Sequence, residues 1–146
     1  MKALLLHASS FGSKVENLNE LDPQVEDDFG IELRAPSPNL AVKECLVALF
    51  HIEQGDGPRQ IRRLCKDIDR VAQKLGTVRL VVACFGHLSS SCAPENIAFG
   101  IYRQVLETCY SWGRYKIYTS PFGKEFNKTL DLRVKSHRDA VKHRSY

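Results

Sequence analysis

Two stretches of this chain, Glu44 to Glu53 and Val78 to Cys84, are nearly all apolar, on successive residues instead of on every other one. A strand tolerates that pattern only when both of its faces are covered, as in the parallel part of a sheet flanked by other layers. Between them, Ile61, Leu64, Cys65, Ile68, Val71, Ala72 and Leu75 recur at spacings of three and four. This marks one apolar face of a helix, which Gly76 ends. Beyond the second strand, Pro94 suits the first turn of another helix, and Ile97, Ile101, Val105, Leu106 and Cys109 keep helical spacing as far as Gly113. Tyr115 and Ile117 then begin a further strand. Strands and helices in strict alternation confine the chain to an α/β sandwich, a mixed sheet with helices packed on it.

The remaining segments fit around that unit. Lys2 to Ala8 reads as an apolar strand. Phe11 to Val15 and Gly30 to Arg34 read as a peripheral pair flanking the acidic, Pro-containing stretch from Glu16 to Asp28. A turn occupies Gln54-Gly55-Asp56-Gly57-Pro58. Leu130, Leu132 and Val134 alternate with charged residues in a late strand, and a short basic helix is expected to close the chain. At 146 residues the sequence fits one domain, 1–146. No apolar run approaches the roughly 20 residues that cross a bilayer. The opening Met1-Lys2-Ala3-Leu4-Leu5-Leu6-His7 is too short for a signal peptide and has no cleavage site after it. It reads as the first strand of a cytoplasmic protein with no membrane attachment.

The five cysteines are odd in number, widely spaced and never arranged Cys-x-x-Cys, so neither a zinc knuckle nor a redox pair is indicated. Most read as small buried hydrophobes, with a thiol nucleophile at Cys84 or Cys92 as the sharper alternative. No Gly-x-x-x-x-Gly-Lys or Gly-x-Gly-x-x-Gly occurs, which argues against ATP chemistry in this domain. Charge is unevenly spread. The first 60 residues hold 5 Lys/Arg against 10 Asp/Glu, the rest 16 against 7. A basic second half presents a face attractive to a polyanion, nucleic acid included.

Two loop signatures lie in that basic half. Phe85-Gly86-His87-Leu88-Ser89-Ser90 follows the second buried strand, and Ser120-Pro121-Phe122-Gly123 opens a hairpin that continues into Lys124-Glu125-Phe126-Asn127-Lys128. Together they set a histidine, hydroxyls, backbone amides and lysines at strand ends, where a rigid scaffold usually carries function. Each residue has a plainer reading. His87 can cap the strand end, His7 and His51 can be strand interior, and Ser89, Ser90 and Ser91 can cap the next segment. Ser89 as a His87-activated nucleophile lacks a Gly-x-Ser-x-Gly elbow and an orienting acid.

Leu4-Leu5-Leu6-His7, Leu46-Val47-Ala48-Leu49-Phe50-His51-Ile52-Glu53, Phe85-Gly86-His87-Leu88-Ser89-Ser90 and Ser120-Pro121-Phe122-Gly123, in this order and at these separations, resemble the N-terminal editing domain of archaeal threonyl-tRNA synthetases. The resemblance spans essentially the whole chain and implies a D-aminoacyl-tRNA deacylase-like fold. It implies hydrolysis of seryl-tRNA(Thr) with threonyl-tRNA(Thr) spared, and a homodimer as the working form. The partner implied is the tRNA(Thr) 3′ end carrying serine, with editing either in cis or alongside a separate threonyl-tRNA synthetase. No metal or organic cofactor is implied for this domain, since ATP and zinc would belong to a synthetic domain. Backbone groups of Ile52, Cys84, Phe85 and Gly86 would read the terminal adenosine, with Ser89, Phe122, Gly123 and His7 completing the pocket. The terminal ribose 2′-hydroxyl would assist the attacking water, while His87 and a lysine order water and substrate.

The lysine falls at Lys128 when counted back from His137, and at Lys124 when counted forward from the Pro-Phe-Gly turn. The backward count keeps the apolar alternation in register and favours Lys128. The Gly-His-Pro-Leu-x-Glu run of the family is replaced here by Ser136-His137-Arg138-Asp139-Ala140-Val141, so Val141 stands at the acid position and Asp139 is the nearest substitute. Two other functions remain to be weighed on the same residues. A D-aminoacyl-tRNA deacylase would select by chirality, and a non-catalytic RNA-binding module would use only the basic half with aromatics such as Tyr102, Tyr110 and Trp112.

Overall fold

The structure, a computed structural model, describes residues 1–15, 39–122 and 128–146. Its core is the expected alternation. β1 (Lys2–Val15) and β2 (Asn39–His51) are followed by α1 (Pro58–Leu75), β3 (Arg79–Cys84), a single 3-10 turn (Gly86–Leu88), α2 (Glu95–Ser111) and β4 (Lys116–Thr119). The chain then adds β5 (Lys128–Val134) and β6 (Val141–Ser145). Strands run in the order β4-β3-β2-β1, with β2, β3 and β4 parallel and β1 antiparallel to β2. The far edge of β1 is shared, its first half pairing with β6 and its second with β5.

Both helices lie on one face. Ile61, Leu64 and Ile68 of α1 and Ile101, Val105 and Cys109 of α2 bury against Leu5, Leu46, Ala48, Phe50, Leu80 and Val82. α1 stops where Gly76 takes φ +64, a left-handed conformation that glycine adopts without strain, and its N–H returns to the Gln73 carbonyl. The opposite face is equally dry: Leu6, Ala8, Phe11, Val42, Val47, Leu49, Val81 and Ala83 form a second cluster, with Leu40, Phe85, Tyr118 and Leu132 against it.

Chain length dictates how that second layer arises. Lys128 pairs with Val15, ten residues along β1 from Leu5, whereas Phe122 follows Thr119, which lies in the row of Val82, Ala48 and Leu5. On a flat sheet the separation would exceed about 33 Å. Six residue-to-residue steps separate Phe122 from Lys128 and reach at most about 22 Å. The far half of the β1, β2 and β5 ribbon therefore curls back over the sheet. The bend sits at a bulge: β1 and β5 slip register between Ala8 and Ser10, the Ser9 hydroxyl donates to the Arg133 carbonyl at 3.2 Å, and Glu44 across the ribbon takes φ +48.

Three expectations change. Phe11 to Val15 continues β1, with Phe11 to Lys14 pairing with Asn39 to Val42; the segment expected as its partner, Gly30 to Arg34, lies outside the described residues, as does the acidic stretch 16–28. The closing helix is instead β6, because Val141 to Ser145 fills the open edge of β1 opposite Lys2 to Leu6. The strand expected from Glu44 begins earlier, at Asn39.

Candidate functional site

Parallel strands end on the same side of a sheet, and the crevice beyond their carboxyl ends is where ligands settle in open α/β folds. Here β2 delivers His51 and Ile52, β3 delivers Cys84 and Phe85, and β4 delivers Thr119 and Ser120 to that edge.

The β2 end is fixed by ionic and hydrogen-bonded contacts. The His51 ring is 3% exposed, and its Nε2–H donates to the Ser91 carbonyl at 2.6 Å, leaving Nδ1 buried and unpartnered among the described residues. Ile52 accepts from the Ala93 amide at 3.1 Å. Glu53 accepts from the buried α-ammonium of Met1 at 2.5 Å and from the Ser89 hydroxyl at 2.6 Å. Asp56 completes the cluster, taking a 2.8 Å contact from Met1 and a 2.7 Å bond from the Glu53 amide. A buried ammonium is costly unless its charge and its donors are met, and two carboxylates meet both. The Met1 ammonium and Ser89 together hold the Glu53 carboxyl below its ordinary value. The turn after β2 is thus clamped to the loop that carries His87.

The Phe85 amide donates back to Phe50 at 2.8 Å, after which the chain turns through Gly86 to Leu88 and exposes His87, its ring edge-on to Phe85 at 5.4 Å. A Cβ added at Gly86 would meet nothing within 4 Å, so that side of the turn is open to an approaching ligand. The Phe85 amide and one lone pair of the Ile52 carbonyl are engaged internally. At β4, the buried Tyr102 hydroxyl donates to the Ser120 carbonyl at 3.2 Å; burial raises its pKa. Phe122 packs against Tyr102 at 5.2 Å and Phe99 at 5.5 Å. The second signature is thereby pinned to α2.

Of the sequence-derived site residues, Ile52, Cys84, Phe85, Gly86, His87, Ser89 and Phe122 converge on this edge. Gly123 and Lys124 lie outside the described residues. Lys128 opens β5 opposite Val15, within the tether's reach of Phe122. His7 and Asp139 stand elsewhere. His7 pairs with Leu46, five rows or about 16 Å from the His51 end. Its Nδ1 lies 2.8 Å from His137 Nε2, beside an ion pair of Lys135 with Glu44, and burial, followed by Lys135 and His137, lowers its pKa. Asp139 binds Lys74 at 2.8 Å and Lys142 at 3.0 Å, which hold its carboxyl down at about 2. No group of three or more His, Cys, Asp or Glu able to hold a metal ion occurs among the described residues. Glu53 and the Met1 ammonium escape sequence reasoning. An acid directly after a buried strand was the available signal for Glu53, whereas a terminal amine carries none.

The chain matches, over residues 1–144, the family described as the archaea-specific editing domain of threonyl-tRNA synthetase. It is similar to the threonine–tRNA ligase of Pyrobaculum neutrophilum, 26% identical over 139 residues, covering 94% of this chain and 21% of that protein. The ligase of Caldivirga maquilingensis is 29% identical over 131 residues, 87% of this chain and 20% of that protein. The ligase of Methanosarcina barkeri is 24% identical over 140 residues, with 94% and 20% covered. This chain therefore spans about a fifth of the length of these relatives. Among solved structures, the c-Myc DNA Unwinding Element Binding Protein shares the fold with a TM-score of 0.65 at 13% identity, over 100% of this chain and 99% of that one. The sandwich is of the D-aminoacyl-tRNA deacylase-like kind.

Proposed function

This chain belongs to the archaea-specific editing-domain family of threonyl-tRNA synthetases, and from that premise we propose that residues 1–146 form a unit that hydrolyses seryl-tRNA(Thr) and spares threonyl-tRNA(Thr). Serine is smaller than threonine by one methyl group, and a synthetic pocket rejects a smaller side chain by only about 1–3 kcal/mol. A second sieve reverses the geometry, admitting the hydroxymethyl group and refusing its branched homologue. The observation that carries this reading is the shared edge of β2, β3 and β4. There the exposed His87, the open side of Gly86 and the Ser89 loop follow β3, and the anchored Phe122 turn follows the neighbouring parallel strand β4, in a family whose members edit.

The bond to be broken is an activated ester, so a water held in place suffices as nucleophile. His87 would orient the ribose or the water, and the terminal 2′-hydroxyl would assist its attack. Lys128, or Lys124 in its stead, would supply a positive donor, and a donor so placed is worth roughly 10²–10³ in rate. The Glu53–Ser89 clamp positions the His87 loop. His7 and Asp139 stand too far along the sheet to join the same pocket from the same protomer, so any part they take in it requires a second copy, as a homodimer would provide.

Deacylation of matched seryl-, threonyl- and D-tyrosyl-tRNA by the purified chain is the test. Serine release with threonine retained supports the proposal; release of D-tyrosine instead assigns the fold to chirality proofreading, and binding without any release ends the hydrolase reading. Lys128→Met is expected to slow serine release by roughly 10²-fold or more while tRNA affinity changes little, and His87→Ala by less. Full rates in both Lys128→Met and Lys124→Met would remove the lysine from the mechanism.

A further inference from the structure

We propose that α1 carries a second RNA contact, a cationic track formed by Arg59, Arg62 and Lys66 that receives the phosphate backbone of the tRNA acceptor arm as its 3′ end enters the edge described above. The proposal rests on the editing reading for the identity of the RNA. The three side chains are exposed, and at spacings of three and four they share one stripe on the face of α1 opposite Ile61, Leu64 and Ile68. Seven helical rises from Arg59 to Lys66 carry that stripe over about 10 Å, the span of a few backbone phosphates.

The charge distribution along α1 is lopsided. Its two acids are consumed in the second half, where Asp67 binds Arg70, Arg144 and Tyr146, and Asp69 binds Arg114 and Tyr115. Lys74 pairs with Asp139, and Arg63 lies over the Tyr146 ring at 5.8 Å. Arg59, Arg62 and Lys66 have no carboxylate partner among the described residues, and the nearest acids before the helix, Glu53 and Asp56, are taken by Met1. The first turn contains no acid at all. Cations in the opening turns face the positive end of the helix dipole, which costs stability in the free protein. An anionic ligand reverses that cost. The stripe also starts in the right place, six residues after Glu53, whose carboxylate touches Ser89 of the His87 loop. Neutralising phosphates releases counterions, so the contact must be salt-dependent and blind to base sequence.

The test is the triple variant Arg59→Ala/Arg62→Ala/Lys66→Ala in the intact chain, compared with Lys43→Ala/Arg133→Ala/Arg138→Ala, which removes equal charge at the bend and in the β5–β6 turn. Binding of uncharged tRNA(Thr) transcript is followed by fluorescence anisotropy across a salt series, alongside hydrolysis of seryl-tRNA(Thr) and of serine esterified to adenosine alone. The α1 variant is expected to bind roughly tenfold or more weakly at low salt, with a log–log salt slope shallower by about two to three. It should hydrolyse the adenosine ester at the wild-type rate and melt no lower than wild type. Unchanged affinity and slope, equal weakening by both triple variants, or no measurable tRNA binding by the wild type would each overturn the proposal. Serine release with an unaltered α1 salt slope discards the track and keeps editing. A wild type that binds through α1 and releases no serine does the reverse.

Discussion

Glu53 is the residue on which the β2 end and the His87 loop both depend. Its carboxyl titrates below the ordinary value because the Met1 ammonium and the Ser89 hydroxyl bind the charged form. A depressed acid contributes stability that is complete above the unfolded value, near about 4.3, and is lost as pH falls through the native value. Urea denaturation of wild type should therefore show stability declining on the acid side, whereas Glu53→Gln should be weaker at neutral pH by roughly 1–3 kcal/mol and flatter toward acid. Equal acid limbs in the two proteins would mean that Glu53 is not the titrating group. The same substitution frees Ser89, and slower serine release at unchanged tRNA affinity is expected from a loosened His87 loop.

At the scale of elements, the bend in the ribbon decides what faces the second layer. Glu44 holds φ +48, a conformation in which a β-branched side chain meets its own carbonyl at a cost of about 1–2 kcal/mol. Glu44→Val and Glu44→Asn both lose the Lys135 ion pair, so Val is expected to be the less stable of the two by about that backbone cost. Thermal melting distinguishes the two, and equal losses would show that the backbone there is unstrained. Nothing in the sequence announces this position, since a glutamate gives no hint of a left-handed residue. The βαβαβ unit was legible because apolar runs and helical spacings are local signals, written within each segment. β6 was not: Val141, His143 and Ser145 acquire strand geometry from the vacant edge of β1, more than a hundred residues away in the chain.

For the molecule as a whole, the site divides along the same line. His87, Gly86 and Phe122 were readable as loops after buried strands, and the fold sets them after neighbouring parallel strands on one edge. His7 and Asp139 were chosen by motif, and register separates them from that edge, because position along an antiparallel strand cannot be read from a short motif. Both chain termini meet beside the clamp, where the Tyr146 amide donates to the Met1 carbonyl at 2.9 Å and the Met1 nitrogen is sealed against Glu53 and Asp56. Anyone producing this protein inherits a consequence. A purification handle fused ahead of Met1 would turn its cation into an amide, stranding two acids and slackening the loop that bears the imidazole; a cleavable leader that regenerates the free amine should restore both melting temperature and turnover.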